Sequence, residues 1–289
     1  EGQVNDMAFR IKYNKDFAAS VNYFANNDTF TMMDMVSYDR KHNEENGEYN
    51  KDGIEDNYSW NCGFEGVTKR KNVVNLRNRQ LKNAMCMLML SQGTPMIYSG
   101  DEFGNSCGGN NNPYCQDNEI SYLDWRLVEK NNEYLNFVKD LISFRKNHNI
   151  LHMEIPMQQR DYHSLGMPDI SFHSDKTWSL ENDVLSRQFG VMLYGKYCTL
   201  CGKNAEENIY IAFNMHWEEK KLGLPTAGKN KEWEQAFSTD NMKNLLVENE
   251  KVKLARTISV PARSVVVLIS KDAPKITSLH KKKSLLVEG

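Results

Sequence analysis

Apolar residues line one helical face in two long stretches of the chain. Over residues 72–92 they are Val74, Leu81, Ala84, Met85 and Leu88, and Gly93 follows as a stop signal. Over residues 132–147 a second set has the same spacing: Tyr134, Phe137, Val138, Leu141 and Phe144. The pattern predicts an α-helix in each stretch.

Two short apolar runs, at 21–25 and 94–99, predict strands that flank the first helix. The first run is followed by Asp28, and the second by Asp101 and Glu102. Carboxylates at the C-terminal ends of strands occupy the position where (β/α)8 barrels place catalytic groups. A structural role for Asp101 and Glu102, accepting hydrogen bonds from backbone amides at the strand end, is an equal alternative.

Residues 34–70 form a long polar segment rich in Asn, Asp and Gly. Segments of this length within a domain are usually lids, binding loops or disordered. Aromatic residues are spaced along it, and sugar rings stack their apolar faces on such side chains: Tyr38, His42, Tyr49, Tyr58 and Trp60. The alternative is a solvated loop with Trp60 packed against the fold.

Beyond residue 150 the pattern changes to short strand-like runs separated by turn-rich segments. These runs are 170–173, 190–194, 208–213, 220–224 and 257–269. Such a pattern predicts an antiparallel β-sandwich. We therefore expect one domain over 1–149, a β-sandwich domain over 150–270 and a mobile tail over 271–289.

Charge and composition narrow the function classes. The 36 Lys and Arg nearly balance the 38 Asp and Glu, so charge gives no reason to expect nucleic acid or an anionic membrane as a partner. Without a long apolar span or a signal peptide pattern, we expect a cytoplasmic protein. Residues 1–10 look like a helix already in progress, so a truncated start is expected.

The six cysteines are irregularly spaced, which favours reduced thiols. Cys198 and Cys201 have the spacing of half a zinc site, but a structural site needs four ligands. Ordinary buried thiols are favoured over zinc, and neither a metal nor a cofactor is expected.

Residues 21–34 read Val-Asn-Tyr-Phe-Ala-Asn-Asn-Asp-Thr-Phe-Thr-Met-Met-Asp. With the segments 36–47, 57–63 and 110–120, this motif resembles the isoamylase and glycogen-debranching branch of the α-amylase superfamily, glycoside hydrolase family 13. Asp28 matches the third catalytic carboxylate of that family. Asn27 stands where the family has a histidine that binds sugar hydroxyls, and Thr29 stands where it has glycine.

The resemblance implies an α/β plus all-β fold. It consists of the C-terminal portion of a (β/α)8 TIM barrel, with residues 21–25 and 94–99 as its seventh and eighth strands, followed by an antiparallel β-sandwich. It also implies that Asp28 stabilises the transition state. Our candidates for sugar contacts are Asn27, Tyr58, Trp60, Asp117 and Asn118.

The activity implied is hydrolysis of α-1,6 branch linkages in glycogen or related α-glucans. Retaining glycosidases need a nucleophile and a general acid about 5 Å apart. In this family both precede the motif, and the twenty residues before Val21 hold no counterpart. We therefore expect the chain alone to be inactive.

Two alternatives to a hydrolase remain open: a non-catalytic glucan-binding module, and an inactive truncated product. The partners expected are an α-glucan and a separate N-terminal half. Self-association through open sheet edges is a further possibility, because unpaired strands are templates for pairing.

Overall fold

The computed structural model describes residues 3–15, 20–180, 186–240 and 256–273. The helices are α1 Val4–Lys12, α2 Met32–Met35, α3 Lys71–Met89, α4 Arg126–Lys130 and α5 Asn132–Asn147. The strands are β1 Val21–Asn22, β2 Thr94–Pro95, β3 Ile170–His173, β4 Gln188–Leu193, β5 Ile209–Asn214, β6 Lys220–Gly223, β7 Lys231–Ser238, β8 Thr257–Val260 and β9 Ser264–Asp272.

Both long helices predicted from the apolar pattern are confirmed. Helix α3 ends at Met89 rather than at residue 92. Gly93 has φ +84°, and a Cβ there would lie 2.6 Å from the carbonyl oxygen of Ser20, so the turn requires glycine. Helix α5 has the predicted bounds, and Phe137, Val138 and Leu141 on its inner face are buried.

The two strands predicted before and after α3 are much shorter than expected. Only Val21–Asn22 and Thr94–Pro95 pair, in parallel, with Val21 opposite Thr94. One further backbone bond, from the Met96 amide to the Asn22 carbonyl oxygen (2.8 Å), follows the pair. Parallel strands joined through a helix form a βαβ connection, but two strands of two residues each do not define a barrel.

The antiparallel pairing predicted for the later strands is confirmed: five of them form one sheet in the order β3-β4-β5-β9-β7, whereas the β-sandwich stays a prediction. Strands β6 and β8 pair separately. Along β5, Ile209, Ile211 and Phe213 face a large core shared with the helices, whereas Tyr210 and Ala212 face a smaller core shared with β6 and β8. The sheet is therefore buried on both faces.

The run predicted over 257–269 divides into β8 and β9 at Pro261, which has no amide hydrogen for a strand ladder. Strand β7 was not predicted. A register shift between Gln235 and Phe237 places Trp233 in the small core and Phe237 in the large one, although residues four apart on a regular strand share a face.

One hydrophobic core crosses the boundary expected at 149/150. Before the boundary it includes Ile11 of α1 and Leu81 of α3. After the boundary it includes Ile150, Leu151 and, on β9, Val267. The division into domains stays a prediction. Strand β9 extends to Asp272, so the predicted tail does not begin at 271, and its residues from 274 onward lie outside the described ranges.

Within the described residues, no helix combines the length and the apolar character needed to cross a membrane.

Candidate active site

The turn at residues 26–29 presents Asp28 just beyond β1. The Asn26 side-chain oxygen accepts the Asp28 amide hydrogen (2.8 Å), and the Thr29 hydroxyl oxygen accepts that of Asn26 (2.9 Å). Asn27 and Asp28 are both exposed, and the Asn27 side chain approaches the Asp28 carboxylate at 3.5 Å. The carboxylate is thus held on a braced turn and is open to a ligand. Thr29, which replaces the family glycine, is part of that brace.

Two buried carboxylates support the segment behind this turn. Asp34 accepts hydrogen bonds from the Ser106 hydroxyl and from the Cys107 amide (2.8 Å). Asp101 accepts the amide hydrogen of Met32 (2.8 Å), which begins α2 and would otherwise lack a helical partner. These bonds tie α2 to the segment after β2. Asp101 therefore has the structural role that was one alternative from the sequence, and Glu102 likewise accepts the Gly100 amide hydrogen.

Burial perturbs both of these acids. It raises the pKa of Asp34 despite the hydrogen bonds from Ser106 and Cys107. It raises the pKa of Asp101 to about 7, and the nearby carboxylates of Glu102 and Asp34 add to the rise while the Met32 amide opposes it. The second carboxylate oxygen of Asp101 has no hydrogen-bond partner in the described structure. Asp101 therefore changes protonation near neutral pH.

We expect Asp101→Asn to change how stability depends on pH. The folded protein binds the Asp101 proton more tightly than the unfolded chain, so this carboxyl makes the native protein less stable as pH rises from about 4 to about 7. The rise in pKa from 3.8 to about 7 corresponds to about 4 kcal/mol. The difference in unfolding free energy, variant minus native, should increase by about that amount between pH 4 and pH 8, as measured by urea denaturation.

The prediction uses the difference in unfolding free energy between the variant and the native protein because His173, which is present in both, has the opposite effect on how stability depends on pH. Burial lowers the pKa of His173 to about 4, so its contribution to stability increases as pH rises from about 4 to 6.5. Glu129→Gln, at an exposed carboxylate of α4, is the matched control and should leave the pH profile unchanged. A pH-independent difference for Asp101→Asn would contradict the assignment.

Helix α3 holds the part of the long loop that carries the aromatic candidates. The buried guanidinium of Arg77 donates to the carbonyl oxygens of Gly66 (2.7 Å), Asn61 (3.0 Å) and Phe64. The Trp60 amide donates to the carbonyl oxygen of Met35 at the end of α2 (2.8 Å). The segment is therefore fixed beside α2.

Tyr58 and Trp60 line one pocket of about 200 Å³ together with Phe24. Tyr58 is 99% exposed and has φ +50°. Trp60 is 39% exposed, and the guanidinium of Arg263, from the turn between β8 and β9, lies 4.5 Å from its ring centre. One face of Trp60 is thus covered by a cation, whereas Tyr58 is free to stack.

A network of asparagines attaches the long loop to the segment after β2. The Asn43 and Asn111 side chains are bonded at 2.9 Å, and those of Asn46 and Asn110 at 2.8 Å. The Asn46 amide also donates to the Asp52 carboxylate (2.7 Å). Although burial opposes it, the amides of Asn46 and Asn112 lower the pKa of Asp52. The loop is therefore held by specific contacts.

Asp117 and Asn118 use their polar atoms within their own loop. The Tyr122 hydroxyl donates to the Asp117 carboxylate (2.7 Å). The Asn118 side chain accepts the Ile120 amide hydrogen (2.9 Å) and donates to Gln116 (2.8 Å). The hydrogen bonds of these two side chains, as far as the structure describes them, do not connect them to Asp28.

The cysteine pair is not arranged as a metal site. The buried Cys198 thiol donates to Glu206 (3.4 Å), and burial, reinforced by that carboxylate, raises the Cys198 pKa, so it stays protonated. No cluster of three or more His, Cys, Asp or Glu suited to a metal ion occurs in the ranges 3–15, 20–180, 186–240 and 256–273.

The fold of this chain is similar to part of the fold of two pullulanases. The pullulanase from Bacillus acidopullulyticus superposes with a TM-score of 0.58 over 92% of this chain and 26% of its own, at 16% identity. The apo pullulanase from Paenibacillus barengoltzii superposes with a TM-score of 0.55 over 93% of this chain and 33% of its own, at 18% identity. At these identities the likeness shows the fold alone.

Sequence relatives give the family. The glycogen operon protein GlgX homolog of Mycobacterium tuberculosis is 37% identical over 264 residues, covering 87% of this chain and 36% of that protein. Isoamylase 1, chloroplastic, from Oryza sativa is 42% identical over 211 residues, 71% of this chain and 24% of that protein. The chain therefore belongs to the isoamylase and glycogen-debranching branch of the α-amylase superfamily and corresponds to its C-terminal part. No family model matches it.

Proposed function

We propose that this chain is the part of a retaining α-glucan hydrolase that carries the transition-state-stabilising carboxylate, Asp28. The hydrolase would cut α-1,6 branch linkages in glycogen or a related glucan. The observation that supports this most is the exposed Asp28 on its braced turn after β1, within a chain 37% identical to a GlgX homolog over 264 residues.

The β1–α3–β2 unit would be the seventh and eighth strands of a (β/α)8 barrel with the helix between them. In that setting the Asp28 carboxylate accepts hydrogen bonds from hydroxyls beside the reacting carbon, and Asn27 donates one more. Tyr58 and Trp60 contact sugar rings from the long loop, and Asp117 and Asn118 contact hydroxyls from the loop after β2. We place this activity in the cytoplasm.

In this proposal a separate N-terminal part of the hydrolase supplies the nucleophile and the general acid. A retaining mechanism needs both carboxyl groups, one to form the glycosyl intermediate and one to protonate the leaving oxygen. Asp28 replaces neither of them, so the chain alone does not cut glycosidic bonds.

The proposal is tested by supplying the missing part. The chain is mixed with the segment of the mycobacterial GlgX homolog that precedes its matched region, and a branched glucan is assayed for new reducing ends and loss of branch points. Hydrolysis should require both components. If the intact relative is active but the mixture is not, a single-chain connection is tested next by fusing the two segments. A correctly folded but inactive fusion would overturn the proposal.

A second candidate, a glucan-binding module without catalysis, is favoured by the full exposure of Tyr58. Native gels cast with glycogen distinguish the two functions. Retarded migration together with an inactive fusion would support the module, whereas unchanged migration with an inactive fusion would leave an inactive truncated product.

A further inference from the structure

A second cavity lies in the sheet half of the molecule and has a volume of about 680 Å³. Its lining comes from the turn after β3, from residues 224–227 after β6, and from the beginnings of β7 and β8. Leu224, Ala227 and Trp233 are buried parts of this lining, and the Trp233 indole nitrogen donates to the carbonyl oxygen of Pro225 (2.7 Å). The volume is within the range of small-molecule sites, about 300–1,000 Å³.

Trp178 is an exposed aromatic wall of this cavity. Its side chain is 51% exposed, and its backbone has φ +64°, a conformation that bulky residues rarely adopt. Surrounding contacts must therefore hold it there. The Trp178 amide donates to Nδ1 of the buried His173 (2.9 Å), and the two rings are in edge contact at 5.2 Å.

His173 is itself fixed in one protonation state. Because Nδ1 accepts the Trp178 amide hydrogen, Nε2 carries the proton and faces the Ser171 hydroxyl at 3.0 Å. Burial lowers the pKa of His173 to about 4, so the imidazole is neutral at physiological pH. The support beneath Trp178 thus stays the same over the ordinary pH range.

The turn that carries Trp178 also packs directly on strand β6. A Cβ at Gly223 would lie 2.5 Å from the Thr177 amide nitrogen and 2.6 Å from the Lys176 carbonyl carbon. The Gly223 amide donates to the carbonyl oxygen of Ser174 (2.8 Å). Only glycine allows this approach, and the result is an aromatic side chain on a rigid base.

The rim of the cavity provides polar groups that the protein itself does not use. In the parts of the chain that the structure describes, the side chains of Lys176, Glu232 and Arg256 form no hydrogen bond or ion pair, and Lys176 and Arg256 are exposed. They offer both donors and a carboxylate acceptor. A ligand with many hydroxyl groups can use both the donors and the carboxylate, and its apolar face can stack on Trp178.

We propose that this cavity binds a short chain of glucose residues, with one sugar ring stacked on Trp178 and its hydroxyls bonded to Lys176, Glu232 and Arg256. The choice of glucose as the sugar rests on the proposed function. None of the residues that line the cavity belongs to the Asp28 turn. It would hold one part of a branched glucan while another part is cut.

Titration calorimetry of the full chain with maltohexaose tests the site. Trp178→Ala should weaken binding about tenfold or more, a loss of about 1.4 kcal/mol. Trp178→Phe should retain most of the affinity because it keeps an aromatic face. Arg256→Ala should weaken binding more mildly, and since Arg256 is exposed this change should leave the fold intact, as checked by circular dichroism.

Trp217→Ala is the matched control. Trp217 is 56% exposed, similar to Trp178, and it lines a different cavity. Trp217→Ala should retain the binding that Trp178→Ala removes. Equal affinity of Trp178→Ala and the native chain would overturn the site, as would no detectable maltohexaose binding by the native chain. An equal loss in Trp217→Ala would also overturn it.

Failure of this site and failure of the proposed function can be told apart. In the mixed or fused enzyme, Trp178→Ala should leave the turnover of a short branched oligosaccharide unchanged and should raise KM only for large glucans. Absence of hydrolysis in every variant, with Trp178-dependent binding intact, would overturn the hydrolase and keep the site. Hydrolysis together with maltohexaose binding that does not depend on Trp178 would keep the hydrolase and overturn the site.

Discussion

Asp28→Asn should lower the debranching rate of the reconstituted or fused enzyme about 100-fold. The substitution keeps the size of the side chain and removes its charge. A hydrogen bond to a charged group contributes about 1.5–3 kcal/mol, and about 2.7 kcal/mol corresponds to a factor of 100 in rate. Because these bonds strengthen as charge develops on the sugar, we expect the loss mainly in kcat, measured as reducing ends released from a branched glucan at saturation.

Stability should not change, since Asp28 is exposed and its carboxylate has one long contact, 3.5 Å, to Asn27. Asp56→Asn is the matched control: it neutralises another exposed loop carboxylate, outside the motif, and should leave kcat within about twofold. A kcat for Asp28→Asn within threefold of the native value would remove Asp28 from the catalytic role.

Arg145→Met should reduce the free energy of unfolding by about 4 kcal/mol. The Arg145 guanidinium, buried between α5 and the end of α3, donates to the carbonyl oxygens of Met89 (2.6 Å), Ser91 (2.7 Å) and Gly93 (2.6 Å). A helix leaves its last carbonyls unpaired, and Arg145 satisfies that of Met89. Each buried acceptor left without a donor costs about 1–3 kcal/mol, and the contributions are not fully additive.

Burial lowers the pKa of Arg145 to about 10, so the group is still charged at pH 7. Arg145→Lys should recover part of the loss, because an ammonium can reach one or two of the three carbonyls but does not have the planar fork. Lys146→Met, at the exposed neighbouring position on α5, is the control and should change stability by less than about 0.5 kcal/mol. Urea denaturation measures all three, and equal midpoints for Arg145→Met and Lys146→Met would refute the prediction.

The elements that could be predicted from the sequence are those with a one-sided apolar pattern. Helix α5 has an apolar face that points into the core, so its bounds followed directly from that spacing. The run at 21–25 is equally apolar, but Val21 and Tyr23 are exposed and only two residues pair. Hydrophobicity indicates what can be buried, whereas pairing depends on a neighbouring strand that the pattern does not specify.

Other features depend on geometry that residue types do not encode. The bulge that sends Trp233 and Phe237 to opposite faces of β7 has no composition signal. Asp28 could be found because a motif surrounds it, and its role stays a prediction. Trp178 could not be found, because a tryptophan in a polar turn becomes informative only when its left-handed backbone and the cavity beside it are known.

The asparagine network also makes the long loop vulnerable to ageing. Asn46 is followed by Gly47, the sequence in which an asparagine side chain most readily cyclises and loses ammonia. Its side-chain nitrogen lies 2.7 Å from the Asp52 carboxylate. Deamidation would replace this hydrogen-bond donor by a carboxylate that faces the Asp52 carboxylate. Chemical damage at this one residue would remove its hydrogen bonds to Asn110 and Asp52 and so weaken one attachment of the loop that carries Tyr58 and Trp60, without any change in the genetic sequence.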